Sequence, residues 1–212
     1  HQSKWSYYTD GEVLGMVSTM RENKLPIDAV HMDIDYMEGF RVFTFNSARF
    51  SDPKAMTAKL AEQNVKAITI IDPGVKLDPG YFVYDEGVEQ GHFARNPDGS
   101  IYEGAVWPGP AVFPDYTQEK TRIWWGEKVK IMTDAGIRGI WNDMNEPANF
   151  TGPLPDDVKF SEGNHKEIHN VFGHLMAKAT YDGLLKADGR RPFVLTRACC
   201  AGSQRYCSGW TG

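Results

Sequence analysis

The segment WNDMNEPANF, residues 141–150, carries Asp143 and Glu146 three residues apart beside Trp141, Met144 and two amides, directly after the apolar run IRGI. Upstream, HMDIDYM sets Asp33 and Asp35 on either side of Ile34, and downstream Arg197 follows PFVLT. Residues two apart in extended backbone share a face, so Asp33 and Asp35 are expected on one side, with His31 alternating to the same side as a donor to an acid or a hydroxyl. Two or three carboxylates with one guanidinium suit a polyhydroxylated ligand. Carboxylates accept hydroxyl protons, the rigid fork of an arginine fixes a carboxylate or hydroxyl, and indole faces stack on the apolar side of a sugar ring. Taken singly, each acid reads equally well as a helix cap or a surface charge. The cluster, beside Trp107 and Trp141, is what points to a site.

Other chemistries fit less well. His165, His169 and His174 fall on one segment, the first two at i, i+4, but without a His-Glu-x-x-His motif or a nearby cysteine pair; they read as solvent-facing or capping, and no metal is expected. The chain lacks a Gly-x-Ser-x-Gly elbow, a Gly-x-Gly-x-x-Gly turn after its first apolar run, and a phosphate loop. Cys199, Cys200 and Cys207 read as thiols rather than as a bridge from Cys207 to one of the others; they could line a pocket wall, and nothing around them argues for a lowered thiol pKa. No cofactor is called for.

The elements that must position these residues are visible as a rhythm. DAVHMDI (28–34), VKAITII (65–71), IRGIW (137–141) and PFVLT (192–196) are short, apolar and rich in branched side chains, as buried parallel strands are. Between them lie helix candidates: Asp10 to about Glu22, Asp52-Pro53 to about Gln63, Thr117 to Asp134 with a stop at Gly136, and Lys166 to Lys186 ending near Gly189. In such βα repeats the chemistry gathers at the carboxyl ends of the strands, and the absence of nucleotide loops favours the barrel over the doubly wound sheet. Residues 72–116 are rich in turns yet carry Tyr81, Phe82, Tyr84, Phe93, Tyr102, Trp107 and Phe113, which predicts an ordered excursion with short strands packed over a strand end rather than a linker.

The bulk numbers bound the partners. The 212 residues, 41% hydrophobic, suffice for one core or for part of a larger one. With 23 basic against 28 acidic residues, the net charge of −5 supplies no counterion-release drive toward nucleic acid. No run of eighteen apolar residues and no signal-peptide order is seen, so no membrane partner is expected. The compartment stays open, the cytoplasm being favoured over secretion, as does homo-oligomer formation. Asn149-Phe150-Thr151 is a glycosylation sequon, a weak signal without evidence of export.

At these residues the chain resembles glycoside hydrolase family 31, and within it the α-glucosidases. HMDIDYM (31–37), FTFN (43–46), VWPGPAVFPD (106–115), WNDMNEPANF (141–150) and the stretch from RPFVLTR (191–197) through RY (205–206) to GWTG (209–212) resemble that family's signature blocks in order, over nearly the whole chain. The resemblance implies a (β/α)8 TIM barrel of the α/β class and a retaining mechanism without cofactor, acting on oligosaccharides. It assigns Asp143 as nucleophile and Asp33 as the acid that holds hydroxyls of the innermost sugar. Arg197, Trp141 and Ile71 line that subsite, Trp107, Met144 and Trp210 shape its walls, and Glu146 and His31 support it. The runs above would be barrel strands 2 to 5, the first strand ending at about His1 and three following Gly212. Residues 1–212 would then be a partial catalytic barrel, internal to a longer polypeptide and unstable alone because two sheet edges are open. The family's general acid/base is an Asp immediately after the WTG motif. The resemblance points to an exo-acting α-glucosidase; an α-xylosidase, sulfoquinovosidase or α-transglucosylase on the same barrel, or a carbohydrate-binding barrel without catalysis, stay open. After Arg197, Ala198, Cys199 and Cys200 replace the family's small hydroxyl residue and bulkier neighbour, and Ser208 precedes Gly209, which leaves linkage preference open.

Overall fold

Short β-branched runs become strands and the capped, polar-faced runs between them become helices. The computed structural model describes residues 1–211. In chain order the elements are β1 (Gln2–Lys4), α1 (Asp10–Glu22), β2 (Ala29–Met32), α2 (Pro53–Glu62), β3 (Lys66–Ile71), β4 (Val75–Lys76), α3 (Phe82–Glu89), β5 (Glu103–Val106), β6 (Gly109–Val112), α4 (Glu119–Asp134), β7 (Gly139–Asn142), β8 (Lys159–Phe160), β9 (Gly163–Asn164), α5 (His165–Asp188), β10 (Val194–Thr196) and β11 (Ser208–Gly209).

Six strands pair in the order β1-β2-β3-β7-β10-β11, all parallel. They curl through 190° round an axis, just over half of a closed barrel. Helices cover the convex side, as βα crossovers in a parallel sheet require. The four expected strands are present, and β1 and β11 flank them. The first of these runs to Lys4, and the last pairs with β10 at Ser208–Gly209. Their sequences, QSK and SG, are too short and too polar to give an apolar signal.

Helix ends follow local chemistry. Thr9, not Asp10, caps α1, its hydroxyl accepting from Glu12 N at 3.1 Å. Asp52 accepts from Ala55 N at 2.8 Å with Pro53 opening α2. A reciprocal box of Asn164 and Glu167 starts α5, which Gly189 ends in the left-handed region. Thr117 lies outside α4 because its amide and hydroxyl both donate to Asp115.

The excursion is ordered, as expected, around an antiparallel sheet β4-β6-β5, and it also contains α3, which the sequence did not announce. Tertiary contact makes that helix: Gly87 lets the Phe93 ring approach, Trp124 Nε1 donates to Glu86 at 3.1 Å, and Lys128 pairs with the same carboxylate. Among the described residues no helix is long and apolar enough to cross a membrane.

The two long helices α4 and α5 touch at Gly126 and Gly183, where a methyl on Gly183 would fall 2.5 Å from Gly126 O. Backbone leaves no side chain to yield, so Gly183→Ala should cost about 1–3 kcal/mol. Thermal or urea unfolding reads this directly, and a wild-type midpoint would refute the close crossing.

Candidate active site

The parallel register carries the functional side chains to one rim. Ile71 pairs with Asn142, Asn142 with Thr196, and Thr196 with Gly209. One residue further along each strand brings Asp72, Asp143, Arg197 and Trp210 level with one another. Asp33 follows Met32, which pairs with Thr69, and so stands two residues lower, beside Ile70 and Trp141. The structure thus brings Asp33, Asp143, Arg197, Trp141 and Trp210 together, and Asp72 with them.

Asp143 is nearly enclosed, its side chain 14% exposed. Arg197 Nε lies 3.3 Å from Asp143 Oδ1 but spends its hydrogen on Glu146 Oε1 at 2.7 Å, while Nη2 reaches Glu146 Oε2 at 3.0 Å and Met144 Sδ at 3.4 Å. Asp143 Oδ1 is left buried without a hydrogen bond. Burial raises the Asp143 pKa above the ordinary carboxylate value, opposed by the Met144 N–H and Arg197 and aided by the charge of Glu146. Burial also pushes Glu146 upward, but the Arg197 fork outweighs it and holds Glu146 below its usual range. Met144, the residue after Asp143, has φ +56°, a left-handed conformation that costs a non-glycine residue energy and turns the chain sharply just after Asp143.

A buried amide holds this turn to the next strand. Asn145 Nδ2 donates to Thr196 Oγ1 at 2.9 Å, Asn145 Oδ1 accepts from Ala198 N at 3.3 Å, and the Thr196 hydroxyl donates onward to Ala198 O. The loops bearing Asp143 and Arg197 are therefore one hydrogen-bonded unit. Gly173 of α5 presses against it from beneath; a methyl there would fall 2.5 Å from Ala198 O and 2.8 Å from Asn145 O.

Asp33 Oδ1 accepts from Ile34 N at 2.8 Å and caps the 3-10 turn Ile34–Tyr36. Burial, then the charges of Asp143 and Asp35, raise its pKa, against the Ile34 N–H. Asp35 does not share its face. The strand stops at Met32, and the turn sends Asp35 to Trp5 Nε1 at 3.2 Å and toward Arg49. His31 donates to no acid; its ring sits 3.0 Å from His1 Nδ1 and edge-on to Trp141 and Phe193. Ile71 is buried at the end of β3, its carbonyl 3.5 Å from the Asn142 amide. Trp141 and Trp210 meet edge to face at 5.6 Å.

The excursion reaches this rim through Asn149, whose Oδ1 accepts from Ala105 N at 2.8 Å while Phe150 N donates to Ala105 O at 2.8 Å. That tie sets Trp107, on the turn between β5 and β6, against Phe150 at 4.9 Å and Trp5 at 5.8 Å. The Asn149 amide nitrogen, which the sequon would need, donates to Gly152 O at 2.8 Å and Thr151 Oγ1 at 2.9 Å.

Two residues at the rim escaped the sequence reading. Asp72 follows ITII just as Asp33 follows a strand, so the strand-end rule applies to it; the Pro73-Gly74 turn disguised it as loop. Trp5, 68% exposed, gave no signal because β1 itself was unseen. His165 is buried rather than solvent-facing and bonds His169 at 3.0 Å, and His174 bonds Ser203 at 2.8 Å. All three cysteines are free, and burial pushes Cys207 up to about 11. Among the described residues no three His, Cys, Asp or Glu side chains converge to hold a metal ion.

Parallel strands with crossover helices and polar residues massed at their carboxyl ends define a TIM-barrel domain, here in part. The family described as the glycosyl hydrolases family 31 TIM-barrel domain matches residues 1–212. Alpha-glucosidase 2 of Bacillus thermoamyloliquefaciens is 47% identical over 219 residues, covering 100% of this chain and 28% of that protein. A crystal structure of a glucosidase II alpha subunit superposes with TM-score 0.95 at 37% identity, over 100% of this chain and 24% of that one. The GH31 dextranase of Flavobacterium johnsoniae, complexed with glucose, does so with TM-score 0.93 at 30% identity, over 100% and 26%. The chain belongs to glycosyl hydrolase family 31, and it spans about a quarter of the length of these relatives.

Removing the buried amide should loosen the rim: Asn145→Ala strands the Ala198 amide and one partner of Thr196, an expected loss of about 1–3 kcal/mol in urea unfolding. Unchanged stability would mean that the two loops hold without it.

Proposed function

We propose that the protein carrying this domain is a retaining, exo-acting α-glucosidase that releases glucose from the non-reducing ends of short α-glucosides. The observation that carries the reading is the state of Asp143. It is a partly exposed strand-end carboxylate beside a guanidinium whose hydrogen bonds another acid already takes.

In this mechanism a carboxylate oxygen of Asp143 forms a bond to the anomeric carbon as the bond from that carbon to the leaving oxygen breaks, giving a glycosyl ester that water then hydrolyses with net retention. Protonating the leaving oxygen requires a second carboxyl about 5–5.5 Å from the nucleophile. The family resemblance puts that acid at the residue after Gly212, which belongs to the proposal that residues 1–212 are one part of the catalytic barrel. Asp33 accepts sugar hydroxyls, the Glu146–Arg197 pair sets the local charge, and Trp141, Trp210, Met144 and Ile71 supply apolar walls. The Trp107, Phe150 and Trp5 rings favour a pocket that takes a chain end.

Relatives named as an alpha-glucosidase and as a dextranase support both maltose and isomaltose as assay substrates. Hydrolysis and transfer share the glycosyl ester and differ in the acceptor, so an α-transglucosylase is the main alternative; an α-xylosidase or sulfoquinovosidase would change only the sugar contacts, and a binding barrel would retain the walls without turnover.

In the full-length polypeptide, Asp143→Asn should lower hydrolysis at least about 10³-fold with the fold intact. A fluorinated α-glucosyl inactivator should leave its mass on the peptide holding Asp143, and labelling elsewhere would move the nucleophile. Asp33→Ala should lower kcat/KM by roughly tenfold or more through unpaired sugar hydroxyls; an unchanged value would remove Asp33 from the pocket.

A further inference from the structure

Four carboxyls and one guanidinium face one another at this rim. Asp33 ends β2, Asp72 ends β3, and Asp143 and Glu146 follow β7; Arg197, after β10, is the cation whose field reaches Asp72, Asp143 and Glu146. The guanidinium is spent on Glu146 through both Nε and Nη2 and stands 3.3 Å from Asp143. Asp72 lies one strand further away, level with Asp143 by register, only 5% exposed, and its Oδ1 is buried without any hydrogen bond. The nearby Tyr36 hydroxyl is no donor to it, being committed to Ile70 O at 2.7 Å.

An ionised Asp72 would be a buried charge beside two further acids with no counterion left to it. Such a charge costs several kcal/mol, and the usual outcome is neutralisation by proton uptake. Where two carboxyls share a site the charge of each raises the pKa of the other, most for the one with less solvent and no cation beside it. Asp143 is the better exposed of the two and has Arg197 beside it.

We propose that Asp72 is a positioning residue for Asp143: a carboxyl that holds its proton in the resting protein, presenting an O–H donor instead of a second negative charge beside the nucleophile. Burial, then the charges of Asp143 and Asp33, act on Asp72 in that direction, and the charge of Arg197 only partly opposes them. Enclosure keeps Asp72 from protonating a leaving group itself. Its effect is on Asp143, which stays the single negative charge of the upper row and is held by a donor on its β3 side. The kinetic part rests on Asp143 as the nucleophile; the protonation state does not.

The test therefore has separate readouts in the full-length polypeptide. A folded-state proton on Asp72 persists above the unfolded carboxyl value of about 3.9, so between that pH and the folded value the folded state binds one more proton and stability falls as pH rises. Asp72→Asn is neutral and lacks this loss. Its Tm should exceed that of the wild type at pH 7, and the gap should shrink toward zero near pH 4. A lower Tm at pH 7, with the deficit shrinking on acidification, would mean an ionised, paired Asp72 and would overturn the proposal. Should the variant fail to fold, infrared spectra of the wild type at pH 7 decide: absence of a protonated-carboxyl band overturns the proposal.

In kinetics, Asp72→Asn should stay within about tenfold of wild-type kcat, whereas Asp72→Leu, of similar size but with no donor, should lose more than roughly tenfold. Equal loss in both variants would show that the charge of Asp72 is needed and defeat the proposal. Failure to trap a glycosyl ester on Asp143 would instead defeat the functional reading and leave the pH dependence of Tm to judge Asp72.

Discussion

The main-chain hydrogen bonds that hold β3, β7 and β10 in parallel register fix where Asp72, Asp143 and Arg197 stand. Parallel pairing advances the strands together, so residues one step beyond Ile71, Asn142 and Thr196 come level without any side chain having to seek another. A one-residue slip in β7 would turn Asp143 into the sheet and bring a neighbour to the rim. Side-chain bonds then lock what register sets. Asn145, buried among Thr196 and Ala198, joins the turn after β7 to the segment after β10, and the left-handed Met144 lets the chain turn within a single residue.

Charge is distributed within that frame by a competition. Arg197 has one fork, and Glu146, the more exposed acid, occupies it from both prongs. Asp143 receives the field of the guanidinium without its hydrogens. The result is a carboxylate in a poorly solvated place with a guanidinium beside it and one oxygen buried without a hydrogen bond. Replacing the fork by a lysine point charge would not partition the two acids in this way.

Much of this was legible in the sequence, and the failures have physical causes. Strands β2, β3, β7 and β10 were visible because buried parallel strands are written as unbroken apolar runs, whereas β1 and β11 are three and two residues long and owe their pairing to neighbours. Caps marked the helices to within two residues. Helix α3 was silent because it forms against Trp124, distant in sequence, with Phe93 from just past its own end closing on Gly87. For the site, Asp33, Asp143, Glu146 and Arg197 stood out by type and spacing. Asp35 was misplaced because alternation was extended past the end of β2 into a 3-10 turn, and Asp72 was hidden by the turn residues after it. The pairing of Arg197 with Glu146 in preference to Asp143 depends on angles within a loop, which no spacing encodes.

The tie between Asn149 and Ala105 bears on how such domains diversify. The excursion that carries Trp107 is anchored, through two hydrogen bonds of 2.8 Å, to the same loop that begins with Asp143. Lengthening or exchanging that excursion cannot be neutral to the loop beneath it unless Ala105 keeps its place. Variation is thereby channelled to the far side of the hairpin and to the turn bearing Trp107 itself, where side chains can change while the anchor stays. Recombination breakpoints in this barrel should accordingly spare residues 103–106 and 149–150 as an inherited pair.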